Sequence, residues 1–70
     1  MEFNKGELCE LIGMVNLMYH DTNHNLNKKT MRARLNIGIK LSKELKKLGS
    51  VSNYSEEFLK LSEQLKWNSN

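Results

Sequence analysis

Seventy residues with a net charge of +3 make one small domain, and a chain this short buries only about 60% of its unfolded surface. A single cysteine excludes an intrachain disulfide and suits a reducing cytoplasm, so the thin core is expected to draw help from self-association or a partner. No apolar run nears the roughly 20 residues that span a bilayer, and MEFNKGEL lacks the basic-then-apolar layout of a signal peptide, so a soluble, intracellular protein with no membrane partner is expected.

The first predicted helix covers about residues 5–20. Asn4 is its expected N-cap, with Glu7 completing a capping box and Phe3 able to fold onto Leu8. At about 100° per residue, Leu8, Leu11, Ile12, Val15, Met18 and Tyr19 fall on one arc with Met14 at its edge, and that arc is the expected core face. A second stripe of Cys9, Gly13, Asn16 and His20, with Leu17 beside it, is mostly small. Another helix could approach it closely, and Cys9, Gly13, Asn16 and Leu17 are the expected oligomer interface. Glycine costs about 1 kcal/mol in a helix, which asks for such a packing reason.

From His20 to Asn25 the run HDTNHN is rich in side chains that bond their own backbone, and it predicts a loop. His20 and His24 are read as capping and loop residues rather than metal ligands, because Cys9 lies about 16 Å further along a helix at 1.5 Å per residue. No metal and no cofactor is expected.

The second predicted helix, about residues 28–48, holds eight of the eleven Lys and Arg against one acid, Glu44. Its segment therefore carries +7 and the rest of the chain −4. Asn27 is its expected cap, with Leu26 facing Met31, and Gly49 its expected left-handed stop. The wheel places Met31, Ile37, Gly38, Leu41, Leu45 and Leu48 on the core side, and Lys28, Arg32, Asn36, Lys40, Lys43, Lys46 and Lys47 opposite. Two residues depart from this sorting. Arg34 falls in the core arc, where an unpaired guanidinium is prohibitive, so it must meet an acid, carbonyls, a phosphate or the end of the bundle; the leading expectation is that, close to the helix start, it reaches solvent or Asp21. Leu35 and Ile39 lie at the edge of the basic face as an expected exposed aliphatic pair, suited to docking on an acidic, partly apolar partner.

The third predicted helix covers about residues 56–66, with Ser55 as cap, Tyr54 facing Leu59, and a narrow stripe of Phe58, Leu61 and Leu65. Trp67 falls off that stripe as a lid or an interface anchor, and the tail 68–70 is expected to be disordered.

The expected fold is thus all-α: a small three-helix domain with an antiparallel long pair and a shorter third helix, assembled as a homo-oligomeric bundle. No spacing of Ser, His, Asp or Cys suits catalysis and no glycine-rich loop follows a strand, so an enzyme is not expected. Three binding readings remain. The leading one is a protein-binding module that inhibits its partner, using Leu35, Ile39, Arg32, Lys43 and Trp67. A second is a sponge for a small anionic nucleotide, with Arg34, Arg32, Lys28 and Lys29 on phosphates and Tyr19 or Tyr54 stacked on a base. The third is a nucleic-acid regulator working through the basic helix, disfavoured by the modest net charge and by a connection too long for a helix-turn-helix.

The opening FNKGELCELIGMVNLMY, a cap followed by acids and a leucine ladder, resembles the short helical proteins encoded by phages of low-GC bacteria. That resemblance implies a class: binders that inhibit a host or defence factor, and homo-oligomers that sequester a nucleotide signal. It raises both readings above nucleic-acid binding.

Overall fold

Each helix begins where a polar side chain takes over an orphan backbone N–H. The computed structural model describes residues 2–21 and 27–64, and among these it contains three α-helices and no strand. Helix α1 spans Lys5–Tyr19, α2 Lys28–Lys47 and α3 Asn53–Gln64. At the start of α1 the Asn4 side chain accepts from Glu7 N–H at 2.8 Å while Glu7 Oε1 accepts from Asn4 N–H at 3.0 Å, the expected capping box. For α2 the Asn27 side chain accepts from Thr30 N–H at 2.7 Å. Leu48 caps its other end, and Gly49 follows with φ +79. There Gly49 N–H donates to Lys46 O at 2.9 Å and Ser50 N–H to Leu45 O at 3.2 Å, the paired bonds of a Schellman motif.

The third cap differs from expectation. Helix α3 starts three residues earlier than expected, because Ser52 and Ser55 serve each other. Ser55 N–H donates to Ser52 Oγ at 3.1 Å, and Ser52 N–H donates to Ser55 Oγ at 2.7 Å. Ser55, the expected cap, is instead fully buried inside the first turn.

Helices α1 and α2 run antiparallel. Arg34, near the start of α2, reaches the Met18 carbonyl at the end of α1, while Leu41 and Leu48 close a hollow with Phe3 and Leu8 at the other end. Helix α3 packs chiefly on α2 and touches α1 less. The core is Leu8, Ile12, Leu35, Ile39, Leu45 and Phe58, flanked by half-buried Phe3, Cys9, Val15, Tyr19, Leu41 and Leu61.

Two expectations about α2 are overturned here. Leu35 and Ile39 are buried at 6% and 0% exposure, whereas Ile37 and Leu48, expected in the core, stand 49% and 43% exposed. The reason lies between them. Gly38 and Ser42, both buried, let α3 approach so closely that the Phe58 ring occupies the space a Gly38 side chain would fill. Ser42 remains satisfied by donating to Gly38 O at 2.7 Å. Burial therefore centres on small residues that a hydropathy wheel does not weigh, and Leu35 and Ile39 beside them turn inward.

Candidate functional site

With Leu35 and Ile39 turned in, the side of α2 on which they were expected presents solvent with charge. Lys28, Lys29, Arg32, Lys40, Lys46 and Lys47 are exposed and Lys43 is half-buried. Twenty residues at 1.5 Å rise make this cationic face about 30 Å long. Lys47 Nζ lies 3.3 Å from Glu44 Oε1, but both side chains are well exposed, so this pair contributes little and leaves the face strongly positive. At its C-terminal end Lys43, Lys46 and Lys47 border an open hollow of about 410 Å³ against Leu59, Ser62 and Glu63 of α3. The lysines of the last turn also meet the favourable, negative end of the helix dipole. Chemically the face can attract and orient a polyanion.

The proposed partner-binding set separates into two groups. Arg32 and Lys43 lie on the cationic face, while Leu35 and Ile39 are core residues and give it no apolar component. Trp67 lies outside the described residues, as do His24, Leu26, Leu65, Lys66 and the tail 68–70.

Of the nucleotide set, Arg34 and Tyr19 come to the same end of α1, whereas Tyr54 meets the middle of that helix at Gly13. Arg34 is half-buried and its Nη1 donates to Met18 O at 2.8 Å, so of the options its position posed it takes a carbonyl at the end of α1. Tyr19 packs its ring against Phe58, with centroids 6.0 Å apart, and against His20 at 5.1 Å. Tyr54 is 48% exposed and lies over Gly13 in the middle of α1. Lys28 and Lys29 are exposed in the first turn of α2.

The small stripe expected to receive another subunit is covered largely by this chain's own α3. A side chain at Gly13 would meet the Tyr54 ring at 3.8 Å, and Asn16, 5% exposed, donates from Nδ2 to Glu57 Oε2 at 3.1 Å. Cys9 is half-buried against the core, and only Leu17 of the four stands out, at 70% exposure.

Glu57 is the residue that sequence reasoning missed. Besides Asn16 it takes His20, whose Nε2 lies 2.8 Å from Glu57 Oε1, so one carboxylate ties the last turn of α1 to α3. In the sequence it reads only as an acid suited to a helix start, and nothing local links it to residues 41 and 37 positions away.

Among the described residues no group of three His, Cys, Asp or Glu is placed to hold a metal, and no helix is long and apolar enough to cross a membrane. Set against family models, curated proteins and solved structures, the chain matches none of them.

Proposed function

We propose that this is a small non-enzymatic binding protein that docks on an acidic surface of another polypeptide and inhibits it by covering that surface. The observation that carries the reading is the cationic face of α2, exposed over about 30 Å while every other charged region of the chain sums to −4. So concentrated a field speeds encounter with an acidic partner and rejects basic ones. The likeness of the first helix to short phage proteins supports a host or defence factor as the target and the cytoplasm as the compartment. Homo-oligomeric assembly belongs to the same proposal.

Compared with the expected docking surface, this one is purely electrostatic, because Leu35 and Ile39 are spent on the core. The nucleotide reading loses support from Arg34, already held by Met18. A nucleic-acid backbone shares the chemistry of an acidic protein surface, and the test separates them. Immobilised protein is exposed to bacterial lysate with and without nuclease, beside a Lys29→Glu/Lys43→Glu variant. A polypeptide retained after nuclease treatment and released by the charge reversal supports the proposal. Capture that vanishes with nuclease, or that survives the reversal, overturns it.

A further inference from the structure

The α1–α2 pair has two broad sides. Helix α3 packs on one, and of the other only the end near Phe3 is partly covered by a described residue. On that outer side stand Met14, Met18, Ile37 and Leu48, each 43% to 50% exposed, with half-buried Leu11 and Leu41 between them. In α1 the spacing 11, 14, 18 is that of one helix face, and in α2 so is 37, 41, 48. Two shallow hollows of about 490 Å³ each interrupt the surface, one beside Phe3, Leu11 and Met14 and one between Phe3, Leu8, Leu41 and Leu48. Single exposed aliphatics need no explanation, but a continuous apolar strip over two adjacent helices does.

We infer that a second copy of this chain covers this face, its helices reversed, about a two-fold axis lying in the interface across the helix direction. This inference rests on the proposed homo-oligomeric assembly and names its interface. Charge selects both the occupant and its orientation. Because α1 and α2 are antiparallel, the two ends of the face differ. Glu7 and Glu10 line one hollow and Glu2 and Glu44 the other, and with Lys47 offsetting only Glu44 the end where α1 begins is acidic. At the opposite end Arg34 is fixed on the Met18 carbonyl. A reversed copy sets the acidic end of each protomer over Arg34 of the other, twice by symmetry. An unreversed copy would stack carboxylates on carboxylates and arginine on arginine, so the face complements itself in one direction only.

The size is adequate for a weak, specific pair. Two helices about 10 Å wide, in contact over about 22 Å of α1, give a flat footprint of about 450 Å² per copy. The ridges and hollows add to this, which brings the total near the roughly 1,000 Å² at which specific interfaces begin.

Light scattering on the eluting full chain tests the pairing first. The expected mass is 16.4 kDa, twice 8.2 kDa. Ile37→Asp, at a half-exposed position, should keep helical circular dichroism and raise the dimer dissociation constant by more than about tenfold. Glu10→Lys should weaken the dimer about two- to fivefold, whereas unreversed stacking would make the same change strengthen it. The Lys29→Glu/Lys43→Glu variant should dimerise like the parent, which keeps this result separate from partner capture. An 8.2 kDa mass at high micromolar concentration overturns both the interface and the assembly. A dimer indifferent to Ile37→Asp overturns the interface alone, and one tightened by Glu10→Lys overturns the orientation.

Discussion

The Phe58 ring lies where a side chain at Gly38 would begin: a Cβ built there comes within 2.5 Å of Phe58 Cε1 and Cζ. This contact sets the distance between α2 and α3 and, through it, which residues of α2 are inside. Gly38→Ala is therefore expected to destabilise the fold by about 1–3 kcal/mol, overpacking outweighing the roughly 1 kcal/mol that alanine contributes to a helix. Gly13→Ala is the control. Its Cβ would meet Tyr54 at an ordinary 3.8 Å, so helix propensity should prevail and the melting temperature rise by about 4–8 °C per kcal/mol gained. Thermal unfolding followed by circular dichroism reads both.

Glu57 is expected to matter through Asn16 more than through its exposed contact with His20. Glu57→Ala leaves a nearly buried amide without its acceptor and should cost about 1–3 kcal/mol in urea unfolding. Glu57→Gln keeps an oxygen in the same place and should retain most of that stability. Equal losses in the two variants would show that charge, not the hydrogen bond to Asn16, fastens α3 to α1.

Ile39→Ala should cost about 2–5 kcal/mol, a large share of the stability of so small a domain, and loss of helical signal at moderate temperature is the readout. Ile37→Ala, two residues away and 49% exposed, should leave the unfolding midpoint of the monomer nearly unchanged. If the two substitutions behaved alike, the assignment of inner and outer faces on α2 would fail.

At the third cap, Ser52→Ala should cost about 1 kcal/mol, as loss of an N-cap does. Ser55→Ala should cost at least as much, since the Ser55 hydroxyl accepts from Ser52 N–H and donates to Ser52 O at 2.9 Å from a fully buried position. Urea midpoints of the two variants check this.

What the sequence revealed depended on how local each determinant was. Asn4 with Glu7, Asn27, and Gly49 after Leu48 act within one turn of chain, and the first two helices begin and end close to where those residues place them. Ser52 and Ser55 are both competent caps three residues apart, so the choice between them needed the position of α3. Gly38 was placed on the core side from the sequence, but the extent of burial beside it was hidden, because Ser42 carries no hydrophobic signal and nothing local shows that Phe58 fills the space over Gly38. The stripe of Gly13 and Asn16 was expected to receive another subunit, and in the fold side chains of this chain's own α3, Tyr54 and Glu57, lie against it. The exposed lysines were legible from charge alone, because a stretch this rich in cations has no inexpensive way to be buried.

The salt dependence of partner binding tests the electrostatic docking face most directly. If α2 engages its partner through Lys28, Lys29, Arg32, Lys40, Lys43, Lys46 and Lys47 alone, affinity should fall steadily as ionic strength rises and the screening length shortens below about 10 Å, and Lys29→Glu/Lys43→Glu should flatten that dependence at unchanged stability. An affinity that holds constant with salt, or that the double charge reversal leaves intact, would contradict docking through the cationic face.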